Sequence, residues 1–153
     1  MMALRDAFVM ALNEFGEKLG TDLALEDGRC TFTVDNTLEV EIDYMDESDV
    51  VVVWTVVGYA PEDQFQDKRA RALLALNELK APNGGFSVSM DLETRFVIAH
   101  DNRPAELFDS GDRIAAWIGA LVDLVHLVRS KFAELLPCAD FPLDDEADEE
   151  GGM

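Results

Sequence analysis

Apolar residues recur at helical spacing in the opening stretch LRDAFVMALNEFGEKLG. Leu4, Phe8, Ala11, Leu12, Phe15 and Leu19 form one stripe, Arg5, Asp6, Asn13, Glu14 and Glu17 point elsewhere, and Gly20 is a natural stop. The period then falls to two. Within LALEDGRCTFTVD, Cys30, Phe32 and Val34 alternate with Thr31 and Thr33, which predicts a half-buried strand after a turn at Asp27-Gly28. A turn at Asp35-Asn36 leads into LEVEIDYM, with Leu38, Val40, Ile42 and Tyr44 on one side and Glu39, Glu41 and Asp43 on the other. An acidic turn from Asp46 to Asp49 leads into VVVVWTVVG, Val50 to Gly58. Short turns make these three strands an antiparallel meander.

After Pro61 the helical period returns. Phe65, Ala72, Leu73, Leu76 and Leu79 share a face, while Ala70 and Leu74 lie opposite, so this helix is apolar on two sides. Pro82 to Gly85 ends it. Phe86, Val88 and Met90 alternate with Ser87 and Ser89 as a fourth strand, and Phe96 to Ala99 makes a fifth, ended by Asn102, Arg103 and Pro104. The last helix starts at Asp109 or Asp112 and runs to Leu136, with Ile114, Trp117, Ile118, Leu121, Leu124, Val125, Val128, Phe132 and Leu135 in its stripe and Pro137 as its stop. The order α-β-β-β-α-β-β-α describes an α+β fold: a five-stranded antiparallel sheet with three helices. Residues 1–137 form the domain, and residues 138–153 are an acidic, mobile tail.

The valine run does not alternate. Both of its faces are apolar, and three helices are too few to hide both faces of five strands. Either Val51, Val53 and Thr55 or the alternate set must then meet something outside the monomer, a twin subunit or a bound segment.

Composition sharpens this. In 153 residues there are 32 Asp and Glu against 12 Lys and Arg, a formal net charge of −20. Such a surface repels nucleic acid and anionic lipid and favours basic, polar or hydrophobic partners, unless the protein is itself a mimic of DNA. The valine run is too short to span a membrane, and the opening residues lack the pattern of a signal peptide, so a cytoplasmic protein without membrane insertion is expected.

Candidate chemistry is sparse. Cys30 and Cys138 lie far apart and read as reduced thiols. His100 and His126 are adjacent to no nucleophile motif. Glu39, Glu41 and Asp43 could hold a cation, but a row of acids on a strand is ordinarily a solvated face. No phosphate-binding loop, nucleophile elbow or zinc-protease helix is present. The expectation is a binding protein with no catalytic residues, no metal and no cofactor. The alternatives are an acidic DNA mimic and a small ligand-binding domain of similar fold.

One resemblance covers Leu4 to Leu136. The FxxxLG helix end at Phe15 to Gly20 leads into LALEDGRCTFTVD and LEVEID. A hydrophobic strand closes on VVGYAP, followed by LLALN, GGFSVSMD, RFVIAHDNRPAEL and a long amphipathic helix. This series resembles the class I type III secretion chaperones, the CesT/Tir-chaperone family. The resemblance implies a homodimer in the bacterial cytosol, without enzymatic activity. Such a protein binds the extended N-terminal region of a secreted effector and helps deliver it to the secretion machinery. It implies a dimer interface from Leu73, Leu76 and Leu79 with Phe86, Val88 and Met90. It also implies effector binding by the first helix, at Leu4, Phe8, Leu12 and Phe15, and by the sheet, here assigned to Val51 and Val53. The acidic tail lies outside the pattern.

Overall fold

In the computed structural model, which describes residues 2–77 and 85–131, the apolar stripe of the first helix becomes α1, Leu4–Leu19. Its side chains Phe8, Ala11, Leu12 and Phe15 are buried. Gly20 ends it with a φ of 78°, a left-handed conformation that is cheap only for glycine, and Thr21 N–H donates to Gly16 C=O at 2.9 Å. Strands β1 (Arg29–Val34), β2 (Leu38–Met45) and β3 (Val50–Tyr59) follow, then α2 (Gln66–Leu76), β4 (Ser87–Met90), β5 (Phe96–Pro104), a single 3₁₀ turn at Ala105–Leu107, and α3 (Gly111–Lys131). The sheet is antiparallel, with strand order β1-β2-β3-β5-β4. This is the predicted element order.

The turns explain the register. Asp35 and Asn36 both take positive φ, the left-handed pair that marks a type I′ turn, and Thr37 N–H donates to Val34 C=O at 3.1 Å. The ladder starts one residue beyond that turn, with Val34 opposite Leu38, so that Thr37 is an extra residue on the β2 side; Cys30 pairs with Ile42 and Phe32 with Val40, while β2 pairs onward as Ile42 with Val53 and Tyr44 with Val51. Every one of these side chains is buried, so the meander has one continuous apolar face.

Two compact units divide the described residues. The first takes residues up to 55 and 100–121. Here α1 meets the sheet through Phe8 against Tyr44, with ring centroids 5.6 Å apart, and Phe15 against Phe32, also 5.6 Å. Phe108 joins Phe8 to Trp117 at 6.2 and 4.5 Å. The start of α3 touches α1 closely: Gly111 N–H donates to Glu14 Oε1 at 2.8 Å. Ser110, rather than Asp109 or Asp112, caps this helix, its Oγ accepting from Arg113 N–H at 3.4 Å. Strand β5 runs on through Asn102 and Arg103 to Pro104, past its expected end. Asp101 anchors that extension, its Oδ2 accepting from Arg103 Nε at 2.7 Å and Trp117 Nε1 at 2.9 Å.

The second unit takes residues 56–99 and those from 122 on. Its core includes Val57, Leu73, Phe86, Val88, Val97, Leu124, Val125 and Val128. Asn77 at the end of α2 clamps β4, donating to Val88 C=O and accepting from Val88 N–H, both at 2.8 Å. The expected face of α2 needs correcting. Phe65 precedes the helix and is exposed, and the buried side chains of α2 are Leu73 and Arg69. A buried guanidinium needs partners, and Arg69 Nη1 donates to Pro61 C=O at 2.8 Å and pairs with Asp63 at 3.1 Å. That pairing, with the N–H of Phe65, holds the Asp63 carboxyl below its ordinary range. Leu79, Phe132, Leu135, Pro137, Cys138 and the acidic tail lie outside the described residues.

Candidate interaction surface

The two faces of β3 differ. Val51, Val53, Thr55 and Val57 are almost wholly enclosed, at 0 to 1 % exposure. Val50, Val52, Trp54 and Val56 remain half-buried. The wet face is therefore the alternate set of the valine run. Hairpin register had already fixed this: Asp43 lies opposite Val52 and Glu41 opposite Trp54, so the acidic side of β2 and these residues share one face.

In the first unit this outer face reads across the strands as three rows. Strand β1 contributes Arg29, Thr31 and Thr33, β2 contributes Glu39, Glu41 and Asp43, and β3 contributes Val52 and Trp54. Trp54 Nε1 donates to Glu41 Oε2 at 3.2 Å. Arg29 Nε stands 3.9 Å from Asp43 Oδ1, too far for a hydrogen bond, and that oxygen is buried without a hydrogen-bond partner. Burial pushes the Asp43 carboxyl up to about 6, and the hydrogen bond and charge of Glu41 push the same way, while Arg29 and Trp54 oppose them.

Strand β1 is one edge of the sheet, and β4 is the other. Tyr44 N–H donates to Gly28 C=O, while Arg29 exchanges both backbone bonds with Glu26 on the other side. Alternation then aims the backbone N–H and C=O of Thr31 and Thr33 at the open edge. Beside it lies a cavity of about 480 Å³ lined by Asp22, Leu23, Ala24, Glu26, Arg29, Cys30 and Thr31. Burial pushes the Cys30 thiol up, which keeps it protonated and unreactive.

The expected site residues divide by exposure. Leu4 is 43 % exposed at the start of α1. Phe8, Leu12, Phe15, Val51 and Val53 are core, at 0 to 3 %, and offer no surface in a single chain. Met10, which the stripe passes over, is 53 % exposed on α1. For the expected dimer interface, Leu73, Phe86 and Val88 are buried within the chain, and Leu76 and Met90 are half-buried. Leu79 lies outside the described residues. Leu74, on the second apolar side of α2, is 71 % exposed. His126 is exposed on α3, His100 is half-buried in β5, and neither lines the cavity. Among the described residues no group of three or more His, Cys, Asp or Glu could hold a metal, and no helix is long and apolar enough to cross a membrane.

Comparison with known proteins gives these surfaces a context. The profile of the Tir chaperone protein (CesT) family matches residues 10–129. A chain of the HopA1-SchA chaperone-effector complex superposes with a TM-score of 0.66 at 18 % identity, covering 85 % of this chain and 99 % of that one. A chain of the ExsC-ExsE complex gives 0.68 at 19 %, covering 91 % and 99 %. The Yersinia pestis type III secretion chaperone SycH, solved with a stable fragment of YscM2, gives 0.60 at 20 %, covering 78 % and 97 %. A search of curated proteins finds no match.

Proposed function

The chain belongs to the Tir chaperone protein (CesT) family, and from that premise we propose that it is a homodimeric type III secretion chaperone. It binds the extended N-terminal region of a secreted effector in the bacterial cytoplasm, keeps it soluble, and hands it to the secretion machinery. It does so without catalysis or cofactor. The observation that carries this reading is the family match across residues 10–129. The open surfaces supply its physics.

The half-buried row of Val52 and Trp54 and the exposed Leu4 and Met10 of α1 are apolar ground for a client. Covering about 200 Å² of such surface contributes about 5 kcal/mol before the cost of ordering the client. The edge of β1 adds backbone hydrogen bonds that tolerate many client sequences. Phe8, Leu12, Phe15, Val51 and Val53 act from beneath, holding these surfaces in shape. The dimer seam uses β4 and α2, where Leu76 and Met90 are half-open and Leu74 is exposed above the buried Leu73, Phe86 and Val88. The acidic body keeps a protein with open apolar grooves soluble.

Affinity purification of the full chain from its native host, with mass spectrometry and light scattering of what elutes, tests this. The expected result is two copies of the 17.0 kDa chain with one effector, bound through the effector's N-terminal region. A monomer eluting with no secreted protein overturns the proposal.

A further inference from the structure

The two edges of the sheet, β1 and β4, are built differently. Strand β4 turns back into β5 at Asp91, whose N–H donates to Phe96 C=O at 2.9 Å and whose C=O accepts from Arg95 N–H at 2.7 Å. Asp91 therefore faces β5. Backbone groups alternate along an antiparallel strand, so Ser89 and Ser87 face β5 as well, and Val88 turns its N–H and C=O to the outer edge. Asn77 occupies both groups: its Oδ1 accepts from Val88 N–H and its Nδ2 donates to Val88 C=O, each at 2.8 Å. One side-chain amide thus makes the two bonds that a residue of an added strand would make.

Helix α2 is what places that amide. Arg69, Leu73 and Asn77 follow at intervals of four, one line down the inward face of the helix. Arg69 fixes the start of the line on Pro61 and Asp63, and buried Leu73 fixes its middle. Asn77 closes the last turn, its N–H donating to Leu74 C=O at 3.1 Å, with its side chain against β4.

We infer that Asn77 is a gate that closes the β4 edge to strand addition. An added strand is thereby directed to β1, where Thr31 and Thr33 aim their backbone groups outward. Two copies of the chain then meet at β4 through side chains such as Met90 and Leu76, and not through one continuous sheet. The inference rests on the chaperone reading for the client strand and the dimer seam, and adds to it which edge receives a strand. An unsealed edge beside the exposed Leu74 would be a template for uncontrolled pairing between chains.

Hydrogen exchange and light scattering of the full chain test this. In the wild-type protein the Val88 amide should exchange at one rate, whether concentrated or diluted until the dimer dissociates, because its acceptor lies in the same chain. Asn77→Ala should speed that exchange about tenfold and give species larger than wild type as concentration rises. Asn77→Asp also loses the bond to Val88 C=O but sets a charge on the edge, which repels an added strand, so it should keep the wild-type size. Loss of Val88 protection on diluting the wild type, a folded Asn77→Ala of wild-type size, or equal growth of Asn77→Ala and Asn77→Asp overturns the inference. If Asn77→Ala fails to fold, the dilution series on the wild type decides. A wild-type chain that is monomeric at every concentration with Val88 still protected removes the dimer and supports the gate.

Discussion

Val52 and Val53 are neighbours in sequence and opposites in environment, which makes them a controlled pair. Val53 is 0 % exposed and pairs with Ile42, whereas Val52 is half-buried opposite Asp43. Threonine in place of either keeps the β-branched shape and the strand preference, so the change isolates burial. At position 53 it removes a buried methyl, ~0.8 kcal/mol, and buries a hydroxyl that costs ~1–3 kcal/mol if unbonded. A precedent limits the second cost: buried Thr55 directs its Oγ1 at Glu39 C=O, 2.6 Å away. A hydroxyl that copies that bond still leaves the lost methyl. Val53→Thr should therefore cost ~1–3 kcal/mol, or about 2–4 °C of Tm for each kcal/mol in a chain of this size. Val52→Thr exposes its hydroxyl to water and should stay within about 0.5 kcal/mol of wild type. Urea titration gives both numbers, and client capture by the folded variants should show the reverse order, weakened at 52 and spared at 53. Equal costs at the two positions, or a larger cost at 52, refute the assignment of faces.

Other consequences follow from the same geometry. Asp43 is an acid held up to about 6, so its ionised form is disfavoured in the fold; stability from this group is full below its unfolded pKa and is lost as pH rises through about 6. Asp43→Asn should raise stability at pH 7.5 by about 1 kcal/mol after allowing for solvent screening, and the gain should vanish near pH 4, as read by urea unfolding across pH. Gly111 has no room for a side chain, since a Cβ there would stand 2.7 Å from Glu14 Cβ and 2.8 Å from Phe15 N. Gly111→Ala should cost about 1–3 kcal/mol in thermal unfolding, and an unchanged Tm would contradict the close approach of α3 to α1.

Much of the fold was legible because most strands alternate. The acids of β2 and the threonines of β1 cannot face a core, which fixed those registers. The valine strand hid its orientation, since both of its faces satisfy the same apolar pattern. The Asp46–Asp49 turn held the missing signal: it sets Glu41 against Trp54 and Asp43 against Val52, and strand partners share a face, so the acids of β2 put these residues on the outer side. The stripe of α1 read equally well as core or client site, because periodicity reports sidedness and not what lies opposite. The burial of Arg69 was invisible because its partners, Pro61 C=O and Asp63, are assembled only by the turn into α2. The continuation of β5 likewise depended on Trp117, 16 residues away from Asp101.

The most direct test of the account is oxidative footprinting of the two tryptophans, with and without the co-purified effector. Trp117 is 4 % exposed and serves as the internal control. If the outer face of β3 is client-binding ground, labelling of Trp54 should fall several-fold in the complex while Trp117 stays unreactive in both. Trp54 labelled to the same extent in the free and effector-bound protein would contradict it.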